Sequence, residues 1–251
     1  MGFIPARAFA RRMCTLILLR GVVPEFPLVL AMNRDELLDR PSAPPRLWPE
    51  IPAVAPVDLR AGGTWFGVGR QGLAVALTNR GHKPDPAKRS RGALTLDLLR
   101  APSHADALVH LLRFGGEHNG FNAVLGDRDA LSFAFHEDRD VRVSRGHSGV
   151  SVLTNAGLDT SEAKVAAVHE RLVGGSFDSL DEALGTLRAA LMLHEAPVCR
   201  HETDRGTQSS VVWALSAEGL AASHLLFTDG PPCTAPYEDC SALVRELAAG
   251  L

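Results

Sequence analysis

Short apolar runs that come in pairs, each pair split by a turn, constrain this chain more than any other feature. Residues 16–19 and 28–32 flank a proline-containing turn, and residues 64–68 and 73–78 flank Gly69-Arg70-Gln71-Gly72. Runs this short and this tightly joined predict antiparallel hairpins, because parallel neighbours need a crossover of a dozen or more residues. Four more strands are predicted at 121–125, 131–135, 141–144 and 150–153, with turns at Asp127-Arg128-Asp129 and at 137–140. Two late strands are predicted at 210–215 and 221–227. The proline-rich segment 41–56 reads as extended loop, since proline cannot donate to a strand ladder.

Helical spacing appears between these groups. Residues 92–99 and 103–113 carry apolar side chains at helical intervals, the second opening on Ser103 and Asp106 and ending at Gly115-Gly116. Residues 160–173 and 179–193 follow, the latter with Ser179 and Glu182 as a capping box, and 239–249 closes the chain. The stripes Val165, Val168, Leu172 and Ala183, Leu184, Leu187, Leu191 are expected to face a core. About ten strands in antiparallel hairpins, with helices between groups, point to an α+β layered fold rather than a parallel βαβ one.

A chain of 251 residues can bury roughly 70–75% of its unfolded surface as one domain, so no metal or disulfide is needed for a core. A net charge of −3 argues against a general nucleic-acid binder. The longest apolar stretch, 14–32, is broken by Arg20, Pro24, Glu25 and Pro27, so no membrane span is expected. Cys14, Cys199, Cys233 and Cys240 lack the spacing of a zinc knuckle or a redox pair, and no HExxH or CxxCH is present. No metal and no cofactor is therefore signalled, and four scattered cysteines suggest a reducing cytoplasm. Residues 1–12, with three arginines and no acid, read as an extension ahead of a start at Met13, leaving 13–251 as a single domain.

Cys14 carries the most chemistry. If Met13 is removed, one residue holds both a thiol, titrating near ~8.5, and an α-amine near ~7.7–8.0. The amine then takes the thiol proton without a histidine. With Met13 attached, the nitrogen is an amide and cannot act as a base. Asn33-Arg34-Asp35-Glu36 ends the strand that pairs with the one opened by Cys14, which brings Asp35 near the thiol. Asp35 is then placed to hold the ammonium, or to do no more than close a strand. Thr78-Asn79 and Thr154-Asn155 each end an apolar run. Such asparagines make Asx-turns, or donate N–H to a developing oxyanion. Ala61-Gly62-Gly63-Thr64-Trp65 lets backbone approach a ligand or forms a bulge, and lacks the ending of a phosphate loop.

Met13-Cys14-Thr15, Asn33-Arg34-Asp35-Glu36, Asp39-Arg40-Pro41, the Gly62-Gly63-Thr64-Trp65 segment, Leu77-Thr78-Asn79 and Leu158-Asp159-Thr160 together resemble the NRDE family. Its eukaryotic members are called transport and Golgi organisation protein 2. The resemblance runs from Met13 to about Phe227. It implies a four-layer αββα sandwich of the N-terminal-nucleophile hydrolase type, similar in pattern to penicillin V acylases and bile-salt hydrolases. Under it, Cys14 matches the nucleophile, Asp35 the aspartate that orients the amine, and Asn79 and Asn155 the two site asparagines. Arg34, Trp65 and Gln208 match substrate-binding positions. Gln208 departs from the pattern: the family has Arg-Ser-Ser where this chain has Gln208-Ser209-Ser210. Arg34 and Arg205 are the candidates to supply the missing charge.

Two functions follow from the resemblance. One is an amidohydrolase or acylase acting on a small amide or acyl substrate. The other is a non-catalytic carrier or trafficking protein holding lipid, acyl-CoA or a haem-like ligand in the same cleft.

Overall fold

A computed structural model describes residues 14–81, 84–137 and 140–250 of the chain. The expected extension 1–12, Met13 and the centre of the turn at 137–140 lie outside the described residues.

The first hairpin is β1 (Thr15–Val23) and β2 (Phe26–Leu37), paired from Thr15↔Asn33 to Val23↔Phe26. The segment 41–56, expected as loop, instead contributes to two strands, β3 (Ser42–Trp48) and β4 (Ala53–Asp58). The prolines are tolerated for a visible reason. β3 is an edge strand, and Pro44, Pro45 and Pro56 fall where the β3–β4 register shifts between Ala43 and Arg46. β5 (Phe66–Gly69) and β6 (Ala74–Asn79) form the second expected hairpin.

α1 (Arg91–Leu99) and α2 (His104–Phe114) follow, each entered through a serine, Ser90 or Ser103, that caps a backbone N–H. Next come β7 (Phe121–Gly126), β8 (Leu131–His136), β9 (Arg142–Arg145) and β10 (Gly149–Thr154). α3 (Ala163–Arg171) and α4 (Leu180–Leu191) precede β11 (Arg205–Leu215), β12 (His224–Thr228), the short β13 (Glu238–Asp239) and α5 (Ser241–Ala249). β11 begins five residues earlier than apolarity alone predicts, because its polar start pairs with the Asn33–Leu37 end of β2.

The strands form two antiparallel sheets. One has the order β10-β1-β2-β11-β12-β13, the other β3-β4-β5-β6-β7-β8-β9. Strand alternation sorts their side chains into layers. Leu16, Leu18, Leu30 and Met32 meet Phe66, Val68, Ala76, Val124 and Phe133 between the sheets. Ile17, Leu19, Val29 and Ala31 face α3 and α4 through Val165, Val168, Leu187 and Leu191. Val75, Leu77, Phe121 and Ala123 face α1 and α2 through Leu94, Leu98 and Leu111. The result is the four-layer αββα sandwich. Strands buried on both faces explain why the apolar runs are nearly continuous.

Among the described residues, no helix is long and apolar enough to cross a membrane.

Candidate active site

Register brings two neighbouring strands to Cys14. β1 pairs with β2 at Thr15↔Asn33 and with β10 at Thr15↔Thr154. Carried one residue further, the same registers set Cys14 between Arg34 and Asn155. The second sheet closes over this end. Thr78 Oγ1 donates to the Thr154 carbonyl at 3.4 Å. Buried Asn122 donates through Nδ2 to the carbonyls of Thr154 at 2.8 Å and Asn155 at 3.1 Å. The two Thr-Asn strand ends noted in the sequence therefore meet each other across the sheets. Asn122, which sequence reasoning missed, is the residue that ties them.

A cleft of about 120 Å³ opens here, lined by Cys14, Arg34, Asp35, Glu36, Trp65 and Asn79, with Arg40, Asp58 and the start of α1 completing it. Asn155 and Gln208 are not among its lining residues. Asn155 directly follows β10, with its carbonyl held by Asn122 and its Oδ1 buried without a hydrogen-bond partner. Gln208 sits at the register shift of β11 and donates through Nε2 to the carbonyl of Leu37. Of the two arginines considered as replacements, Arg34 lines the cleft and Arg205 does not.

The Asn33-Arg34-Asp35-Glu36 motif divides by strand alternation. Arg34 and Glu36 turn toward the cleft, while Asn33 and Asp35 turn toward the helices. Asn33 Nδ2 donates to the carbonyls of Leu191 at 2.8 Å and Val198 at 2.9 Å, pinning the chain where it leaves α4. The Arg34 guanidinium carbon lies 4.4 Å from the Trp65 ring centroid, a cation–π contact between the sheets. Arg34 is 4% exposed, and both its terminal nitrogens are buried without a hydrogen-bond partner. Burial pulls its guanidinium below the usual range, against Glu36 and Asp58. Those two acids are themselves engaged by Arg40, at 3.3 Å and 2.6 Å.

Asp35 accepts from Thr207 Oγ1 at 2.6 Å, and its second oxygen is buried without a hydrogen-bond partner. Burial pushes its carboxyl up to about 7, against the pull of Lys164, Thr207 and Arg200. Lys164, in the first turn of α3, is also buried, and its Nζ donates to Thr15 Oγ1 at 2.9 Å. Burial lowers its ammonium, and Asp35 and Glu162 oppose that. Sequence reasoning missed Lys164; the signal that could have found it is a cation at i, i+4, i+8 spacing with Val168 and Leu172 on a core-facing stripe.

Cys14 is 8% exposed, and its Sγ lies 3.7 Å from the Asp35 carbonyl, toward which the thiol donates. Burial, then the Asp35 and Glu36 charges, push the thiol up to about 12. A thiol held there is protonated at neutral pH and needs a base before it can attack.

The Gly62-Gly63 pair serves packing rather than a ligand. Gly62 has φ +68°, and a Cβ on Gly63 would fall 2.5 Å from the backbone carbon of Gly92 in α1. This close approach seats the start of α1 at the rim of the cleft.

A profile of the family described as Transport and Golgi organisation 2 matches residues 13–184. The chain is 34% identical over 245 residues to a Transport and Golgi organization protein 2 homolog from Bos taurus, covering 81% of this chain and 86% of that one. It is 36% identical over 110 residues to a mouse homolog, covering 41% of this chain and 39% of the mouse protein. Among solved structures, it is similar to a Caenorhabditis elegans N-acylethanolamine-hydrolyzing acid amidase ortholog, at TM-score 0.58 and 12% identity, covering 79% of this chain and 92% of that one. It is also similar to a conjugated bile acid hydrolase mutant from Clostridium perfringens, at TM-score 0.52 and 12% identity, covering 91% and 93%. These likenesses show the fold of N-terminal-nucleophile hydrolases.

Proposed function

The chain belongs to the transport and Golgi organisation 2 family, and from that premise we propose that it is a cysteine N-terminal-nucleophile amidohydrolase acting in the reducing cytoplasm. The observation that carries the reading is the pairing of Cys14 with Arg34 and Asp35 in one cleft. Arg34 brings a buried guanidinium whose two terminal nitrogens have no hydrogen-bond partner, and Asp35 a buried carboxylate oxygen without one. The first calls for an anionic group on the substrate, the second for a donor at the N-terminal side of the site.

A free Cys14 α-ammonium is that donor. Once Met13 is removed, the amine takes the thiol proton and Cys14 Sγ attacks the substrate carbonyl. Asn79, which lines the cleft, holds the oxyanion. The C–N bond breaks as the amine returns its proton to the leaving nitrogen, and water then hydrolyses the thioester. Arg34 binds a carboxylate on the substrate and Trp65 buttresses it from the facing sheet. A small amide carrying an acid group fits this cleft. The carrier reading has less support, because about 120 Å³ walled by Arg34, Glu36, Arg40 and Asp58 offers little room or apolar surface to haem or a long acyl chain.

The test is turnover of a panel of carboxylate-bearing acyl amides by protein with a free Cys14 amine. Cys14→Ala should abolish hydrolysis and Arg34→Leu should raise KM for acidic members. Unchanged turnover by Cys14→Ala would overturn the reading.

A further inference from the structure

Far from the spacing of any zinc motif, the fold gathers two histidines and two cysteines at one point. His194 and Cys199 lie in the connection from α4 to β11, His201 follows at its end, and Cys233 lies between β12 and β13. One ligand atom from each falls within 4.8 Å of all the others. Cys199 Sγ is 3.5 Å from Cys233 Sγ, and His201 Nε2 is 3.6 Å and 3.1 Å from the two sulfurs. A tetrahedral zinc ion, with bonds of about 2.3 Å to sulfur and about 2.0–2.1 Å to nitrogen, sets edges of roughly 3.8 Å between sulfurs and roughly 3.5 Å between sulfur and nitrogen. Cys199, Cys233 and His201 thus stand near the separations that one ion demands, with His194 within 4.8 Å of all three.

We propose that His194, Cys199, His201 and Cys233 form a structural zinc site. Two thiolates and two imidazoles are the donor set of a closed tetrahedral zinc centre, and they disfavour magnesium or calcium, which take oxygen. Binding displaces one proton from each cysteine to solvent, so about two protons leave per ion at a pH where both thiols are protonated. Cys199 is buried while both histidines are exposed, which leaves a path for the ion to enter.

The site has a structural purpose that can be traced atom by atom. It clasps the α4–β11 connection to the β12–β13 connection, at one end of the β11–β12 pair. Arg200, between two ligands, donates its backbone N–H to Thr207 Oγ1 at 3.0 Å, and Thr207 donates on to Asp35 at 2.6 Å. The ion would therefore fix the loop that supports Asp35, without touching the cleft.

The experiment uses the whole chain, purified under thiol reductant and without chelator. Metal analysis should find about one zinc per chain. Cobalt added to protein stripped of metal should give the visible bands of a tetrahedral ion and a thiolate charge-transfer band. Zinc at a hundredfold excess over its Kd should raise Tm by about 5 °C or more. Cys233→Ser, and separately the exposed His194→Ala, should weaken zinc binding by about 100-fold, since a direct ligand costs at least as much as an outer one. Unchanged zinc affinity in both variants overturns the proposal. So does a stripped wild-type chain that binds no zinc and gives no tetrahedral cobalt spectrum, or one that instead holds a Cys199–Cys233 disulfide under reductant.

Discussion

At the scale of single residues, the chain's polar motifs do more than one job, and the strand period decides which. Asn33 and Asp35 point at the helices, Arg34 and Glu36 at the cleft, so four consecutive polar residues serve two layers. Asp35 is the most exacting of them. Its carboxyl is pushed up to about 7 by burial, well above an unfolded aspartate near ~3.9. A folded pKa above the unfolded one means that the native state binds more protons between those values. Its contribution is therefore fully present below about pH 4 and is lost as pH rises through about 7. Asp35→Asn cannot ionise and should escape that loss, by on the order of 2–4 kcal/mol across the window. Urea unfolding at pH 5 and pH 8 checks this: the variant should gain on the wild type at the higher pH, and a difference that is flat with pH would refute it. Cys14 was legible as a site candidate because it opens an apolar run directly after a removable methionine, Arg34, Asp35 and Asn79 because they end such runs, and Trp65 because a glycine pair leads into it. Lys164 and Asn122 were not, because their partners come from strands and helices far away in sequence.

At the scale of elements, tight turns and apolar alternation located both early hairpins and the paired helices. Proline obscured β3 and β4, whose irregular register only a neighbouring strand could reveal. The start of β11 was likewise hidden, since Arg205, Gly206 and Thr207 have no apolar rhythm and are held by pairing with β2. Gly63 exposes a packing constraint between elements. A methyl group there would meet the Gly92 backbone at 2.5 Å, and backbone cannot swing aside as a side-chain tip can. Gly63→Ala should therefore push α1 from β5 and cost about 1–3 kcal/mol. Gly185→Ala is the control, lying inside α4 with open space around it. There a methyl group should stabilise the helix by up to about 1 kcal/mol. Equal Tm values for the two variants would show that the Gly63–Gly92 approach is not a tight constraint.

At the scale of the whole molecule, the cleft exists only where both sheets end together, with Cys14 and Arg34 on one and Trp65 and Asn79 on the other. Burying Cys14 between sheets has a chemical cost, a thiol driven up to about 12 while its nitrogen is an amide. Freeing that nitrogen changes the electrostatics at the point where they matter, because an ammonium attached to the same residue favours the thiolate and can meet the unpartnered oxygen of Asp35. Maturation should thus turn on the thiol independently of any substrate. Two chains compare the states, one beginning at Met13 so that methionine removal exposes Cys14, the other retaining residues 1–13. Intact mass identifies which amine is free, and peptide mapping after a timed iodoacetamide pulse at pH 8 isolates Cys14 from Cys199, Cys233 and Cys240. The exposed-amine chain should alkylate at Cys14 at least ~10-fold faster, the equivalent of lowering the thiol by a unit or more toward its ordinary range. Equal rates would mean that the amine does not govern the thiol, and the base for any Cys14 chemistry would have to be sought among the side chains of the cleft.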